Sequence, residues 1–108
     1  MNINTAVVEK NILSAIQTGK MIALIGRTGV GKSVLAKKMF KKAKHIEISK
    51  INIVSGYPQG IVIHEGQYYN SKNLLKLYNK QRELNADMCV LYQEDRSIRI
   101  EDSTKIYM

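Results

Sequence analysis

An α/β layered fold, with a mostly parallel sheet of about five strands flanked by helices, is what this sequence predicts. Three observations carry it. Short apolar runs alternate with amphipathic stretches along the chain. The first run, MIALI at 21–25, is apolar without a break, as in a strand covered on both faces. A glycine-rich turn at 26–33 then joins that strand to a helical stretch. The 108 residues fit one domain, 1–108, and leave no length for a second. With 44% hydrophobic and 24% charged residues the chain has a globular composition.

Taken in order, residues 3–17 place Val8, Ile12, Leu13 and Ile16 at helical spacing, and Gly19 is a suitable stop. Residues 34–43 read as a second helix, with Leu35, Met39 and Ala43 on one side. HIEIS at 45–49 alternates like a strand, and INIV at 51–54 extends it or pairs with it. Residues 55–59 are turn-rich and hold the only proline, Pro58. IVIH at 61–64 is a third strand. Residues 72–84 form an amphipathic helix with Asn70 or Ser71 as its cap. MCVLY at 88–92 is a fourth strand, and 97–101 with 105–108 alternate as a terminal hairpin around Asp102 and Ser103. About a dozen residues separate the second and third strands, which is short for a helical crossover. The second strand is therefore expected as an antiparallel edge.

Seventeen basic residues against nine acidic ones leave a net charge of +8. Such a surface favours polyanions, nucleotides and nucleic acid among them, although a lysine-rich composition also serves plain solubility. Lys outnumbers Arg 13 to 4, which speaks against bidentate reading of bases. Cys89 is the only cysteine and lies in an apolar run, so it reads as a buried hydrophobe, and no CxxC or histidine cluster suggests zinc. The first twenty residues do not read as a signal peptide, and no apolar run approaches the ~20 residues of a spanning helix. A soluble, cytoplasmic protein is expected.

Residues 26–33, Gly26-Arg27-Thr28-Gly29-Val30-Gly31-Lys32-Ser33, match GxxxxGK[ST] at every position. The glycines admit backbone angles that strain other residues, so that successive N–H groups turn inward on an anion. The start of the following helix adds its positive end. Lys32 is placed to reach β- and γ-phosphates, and the Ser33 hydroxyl to ligate Mg²⁺. All eight residues are assigned to nucleotide binding, with ATP and Mg²⁺ the implied cofactors.

The strand at 61–64 ends in His64-Glu65. This resembles the Walker B pattern, four apolar residues and then Asp-Glu, with His64 in the place of the Asp. His64 is assigned with Ser33 to the metal position, where it supplies a ring nitrogen and no negative charge. Glu65 keeps the place of the water-activating carboxylate.

Guanine-reading NKxD is missing, since Asn79-Lys80-Gln81-Arg82 lacks the Asp, and no DxxG switch occurs. A kinase would need a lid and an acceptor pocket for which there is little length. Glu65 next to the metal position is similar to the additional-strand catalytic-glutamate division of P-loop NTPases. The stretch 82–93 narrows the likeness: a helix-end Arg82, an apolar strand and a terminal Gln93 resemble the HerA–FtsK group of DNA-translocating and phage-packaging ATPases. The resemblance covers roughly residues 21–93. It implies that Arg82 is an arginine finger for a neighbouring subunit, that Gln93 is the strand-end polar sensor, and that the chain works on DNA as a homo-oligomer. Gln81, Tyr92 and His64 depart from that group's Gly, Thr and Asp.

The expected function is thus Mg·ATP binding with slow hydrolysis by Glu65, Lys32, Arg82 and Gln93, coupled to DNA translocation or packaging. The alternatives are a nucleotide-binding regulatory module without turnover and, third, a small nucleotide or nucleoside kinase. Lys37, Lys38, Lys41, Lys42 and Lys44 crowd the second helix, and Lys37, Lys41 and Lys44 share one face, either as a contact for a DNA backbone or as a solvated side. Tyr68 and Tyr69 are placed to stack on a base or to pack beneath the 72–84 helix. Arg27, inside the loop, is placed to touch a γ-phosphate.

Overall fold

Strands that are apolar at every position must be covered on both faces, and the chain supplies helices for both. A computed structural model describes residues 5–47 and 49–108. The elements are α1 (Ala6–Ile16), β1 (Met21–Ile25), α2 (Lys32–Met39), β2 (Lys44–Ile46), β3 (Ile61–Ile63), α3 (Ser71–Glu83), β4 (Met88–Tyr92) and β5 (Ser103–Tyr107), with short 3₁₀ turns at Gly66–Tyr68 and Asp95–Ser97. The five strands form one sheet in the order β2-β3-β4-β1-β5, and every pairing is parallel.

Alternation along the strands sorts the core into two layers. Met21, Ala23 and Ile25 of β1 join Ile61, Ile63, Met88, Val90 and Tyr92 on the face covered by α3. Ile22 and Leu24 join Val62, Cys89, Leu91 and Ile106 on the face covered by α1 and α2. Helix α3 buries Leu74, Leu77, Tyr78 and Gln81, a stripe at helical spacing. Its N-cap is Asn70, whose Oδ1 accepts from the backbone N–H of Lys72 at 2.8 Å and of Asn73 at 3.4 Å. Helix α1 buries Val8, Ile12 and Ala15, and Leu13 is exposed. The helix expected from residue 3 begins outside the described residues at that end. Gly19, at φ +74°, reverses the chain into β1. Cys89 is buried, as its apolar neighbours imply.

Four expectations are corrected. The second strand is an edge, but it runs parallel to β3, with Lys44, His45 and Ile46 in register with Ile61, Val62 and Ile63. Among the described residues, 47 and 49–60 form no helix before the start of β3. Tyr57 anchors them: its N–H donates to Gln81 Oε1 at 2.7 Å and its carbonyl accepts from Gln81 Nε2 at 2.9 Å. Residues 51–54 accordingly form no strand, and Ile48 of the expected 45–49 strand lies outside the described residues. The terminal hairpin is also absent. Residues 103–107 pair instead along β1, Met21 with Ser103 through Ile25 with Tyr107. A lone two-stranded ribbon is marginal in water, whereas the free edge of β1 offers a five-residue ladder on a buried sheet. Finally, α2 stops at Met39, because Phe40 leaves helical angles at φ −122°, ψ 60°. Lys41 then lies in a turn and Lys44 in β2, so the three lysines share no helix face. Lys38 pairs with Glu9 of α1 at 2.9 Å.

The chain segment after β3 is pressed against β4. A Cβ at buried Gly66 would stand 2.3 Å from Val90 Cγ1 and 2.9 Å from Tyr92 Cε1. Gly66→Ala is expected to destabilise the fold by about 2 kcal/mol or more through overpacking, lowering the thermal midpoint by on the order of 10 °C. Circular dichroism melts check this; an unchanged midpoint would show that the segment yields.

Candidate functional site

In a parallel sheet the strands deliver their following loops to one edge, and ligands bind at that edge. Here β1 delivers the glycine-rich loop, β3 delivers His64 and Glu65, and β4, which lies between them, delivers Gln93. Thr28, Gly29, Gly31, Lys32, Ser33, His64, Glu65 and Gln93 line one cleft of about 190 Å³. That is below the ~300–1,000 Å³ of pockets that enclose drug-sized ligands, so the cleft suits a phosphate tail more than a whole nucleotide.

Gly29 and Gly31 adopt φ +87° and +91°, angles that side chains rarely tolerate, and a Cβ at either would meet nothing within 4 Å. Their constraint is conformational. Gly31 is the N-cap of α2, so the helix opens on the loop itself. The loop is tied to its neighbours: the Gly26 N–H donates to the Tyr92 carbonyl at 3.0 Å. Lys32 curls over the loop, its ammonium donating to the carbonyls of Gly26 and Arg27. Burial pushes the Lys32 ammonium below its ordinary range, and the Glu65 carboxylate opposes that shift. A bound polyanion would supply the countercharge this partly desolvated ammonium calls for.

Glu65 sits at φ +59°, a left-handed conformation uncommon outside glycine. Its Oε2 accepts from Gln93 Nε2 at 3.2 Å and from Gln67 Nε2. Both amides hold the same carboxylate oxygen, which leaves Oε1 without a protein donor among the described residues. Gln67 Oε1 is buried without a partner. Gln67 was not legible as a site residue; its only signal is its position two residues after Glu65.

His64 is buried and lies 3.2 Å from Ser33, Nδ1 to Oγ. On its other side Nε2 is 3.1 Å from Nδ1 of His45, whose Nε2 is 3.1 Å from the Phe40 carbonyl. A carbonyl only accepts, so His45 Nε2 carries a proton. With both rings neutral, His45 Nδ1 accepts from His64 Nε2–H, and His64 Nδ1 accepts from the Ser33 hydroxyl. Burial, and then the neighbouring His45, hold the His64 pKa below its ordinary value. His45 is a second residue missed in the sequence.

For a divalent cation, Ser33 offers an oxygen suited to Mg²⁺, which prefers oxygen ligands and keeps several waters and phosphates. His64 offers nitrogen, a poor match to that ion. Among the described residues no group of three His, Cys, Asp or Glu is arranged to hold a metal.

Arg82 is not brought to this cleft. It lies near the end of α3, with Tyr78 and Met88 lining a separate cleft at the amino ends of the strands. Its guanidinium is 3.4 Å from Asp102 and 5.6 Å from the centre of the Tyr78 ring. Arg27 is exposed on the loop. Tyr68 is also exposed, whereas Tyr69 packs on the core and its hydroxyl donates to the carbonyls of Glu47 and Ser49, each at 2.9 Å.

Strand, glycine loop and helix N-terminus, facing a carboxylate from a non-adjacent strand, define a P-loop NTPase fold. The sequence matches the NB-ARC domain family over residues 4–98, nearly the whole chain, and the chain belongs to that family of nucleotide-binding domains. Strand β5 lies beyond the matched span. No curated protein matches the sequence. Among the described residues no helix is long and apolar enough to cross a membrane.

Proposed function

We propose that this domain binds ATP through residues 26–33 and hydrolyses it slowly. The observation that supports the reading best is the convergence of Lys32, Ser33, His64, Glu65 and Gln93 on one cleft. Lys32 neutralises charge on the β- and γ-phosphate oxygens, and the loop amides hold the same groups. Glu65 takes a proton from water as its oxygen bonds to the γ-phosphorus and the bond to the bridging oxygen breaks. Gln93 and Gln67 hold the carboxylate by one oxygen and present the other to that water. A divalent cation, when bound beside Ser33, adds positive charge at the phosphates. Because His64 brings no negative charge to that position, turnover is slow.

The assignment of Arg82 follows from the HerA–FtsK likeness alone. At the far ends of the strands it can complete only a neighbouring copy's site, and work on DNA by such an oligomer rests on the same likeness. One observation favours the second reading, a regulatory module that binds nucleotide without turnover: the imidazole at the metal position. Phosphate release from ATP, measured with and without DNA alongside the mass in solution, decides between them. Slow release that depends on Glu65 is expected; tight binding with no release would leave the binding module.

A further inference from the structure

The pairing of Ser33 with His64 bears on which cation accompanies the nucleotide, and the inference rests on the nucleotide-binding reading above. Ser33 Oγ and His64 Nδ1 are 3.2 Å apart. Adjacent corners of an octahedron with metal–ligand bonds of roughly 2.2 Å are about 3.1 Å apart, so one ion can meet both atoms with little movement. With both rings neutral, the hydrogen bond of His45 Nε2 to the Phe40 carbonyl makes His45 Nδ1 the acceptor from His64 Nε2–H, which leaves the lone pair of His64 on Nδ1, the nitrogen that faces Ser33. A ligating histidine is commonly oriented in this way, its second N–H held by an acceptor. His45 is in turn fixed by the Phe40 carbonyl at the end of α2. The ring of His64 is buried, so it cannot swing to another partner without disturbing the core. Affinity for a nitrogen ligand rises along the first transition row from Mn²⁺ to Co²⁺ and beyond, whereas Mg²⁺ takes oxygen ligands almost exclusively, so Co²⁺ gains more from the imidazole than Mn²⁺ does.

We infer that Ser33 and His64 form a mixed oxygen–nitrogen cation site that takes a first-row transition ion, Mn²⁺ or Co²⁺, with the nucleotide in preference to Mg²⁺, and that His45 is the positioning residue for it. Imidazole in the place of a carboxylate is what shifts the preference away from Mg²⁺.

Calorimetric titration of the full chain with ATP, in chelator, Mg²⁺, Mn²⁺ or Co²⁺, reads the preference without any need for turnover. ATP is expected to bind at least tenfold more tightly with Mn²⁺ or Co²⁺ than with Mg²⁺, and His64→Asp is expected to shrink that ratio several-fold. Electron spin-echo spectroscopy of the Mn²⁺·ATP complex should show histidine nitrogen coupling, confirmed by ¹⁵N-histidine labelling and lost in His64→Ala. His45→Ala keeps both ligands; it should retain the coupling while narrowing the Mn²⁺ preference, which also covers the case of a His64 variant that fails to fold. Equal affinity with Mg²⁺ and Mn²⁺ in the unaltered chain, or no nitrogen coupling in its bound complex, overturns the inference. If ATP binds under none of these conditions, it is the nucleotide site itself that fails.

Discussion

Replacing Lys32 by alanine is expected to weaken ATP binding by at least about 100-fold, or roughly 3 kcal/mol, the loss that follows from charge-assisted hydrogen bonds to phosphate. The ammonium already sits over the loop, bonded to the carbonyls of Gly26 and Arg27 and partly desolvated. It therefore has part of its hydration already removed when a polyanion arrives. Arg27 is exposed, and the buried Gly26 stays tied to the Tyr92 carbonyl through its own N–H without Lys32, so the variant should keep its fold. Titration calorimetry with ATP, paired with a thermal melt, checks both points. Unchanged affinity in a folded Lys32→Ala chain would remove the loop from nucleotide binding.

The second large effect is on chemistry. Glu65→Gln preserves shape and removes the base, so ATP affinity should change by less than about threefold while phosphate release falls by ~10²–10⁴, the usual range for losing a general base. The contacts explain why affinity should hold. Gln93 and Gln67 bond only to Oε2 of Glu65, and a glutamine can still offer its carbonyl oxygen to one or both of them. The free Oε1 position is what changes, from a proton acceptor to an amide donor. Single-turnover phosphate release separates this from altered binding. Release at the unaltered rate would take Glu65 out of the reaction.

Much of this arrangement was legible in the chain. The unbroken apolar runs at Met21–Ile25 and Met88–Tyr92 became fully buried central strands, because nothing but a doubly covered strand accommodates them. The glycine loop specified its own geometry, since left-handed angles at Gly29 and Gly31 exclude most other residues. Gln93 is reached from the sequence only through the likeness to the HerA–FtsK group. What local pattern could not give was long-range register. His45 meets His64 only because β2 pairs in parallel with β3 at Ile46 and Ile63, with no helix among the described residues between the two strands. The same kind of choice put β5 on β1 and not on residues 97–101: Ile98, Ile100 and Ile106 alternate equally well for either partner. Gln81 shows the reverse error of emphasis. In the sequence it stands out only as a departure from the glycine of the HerA–FtsK group, yet it is a fully buried strut whose amide also donates to the Asp87 carbonyl at 3.2 Å.

The most direct test of the account is calorimetric titration of the folded chain with ATP in the presence of a divalent cation. The account predicts a saturable heat with one nucleotide per chain, abolished in Lys32→Ala. A flat trace from folded protein in Mg²⁺, Mn²⁺ and chelator alike would contradict it.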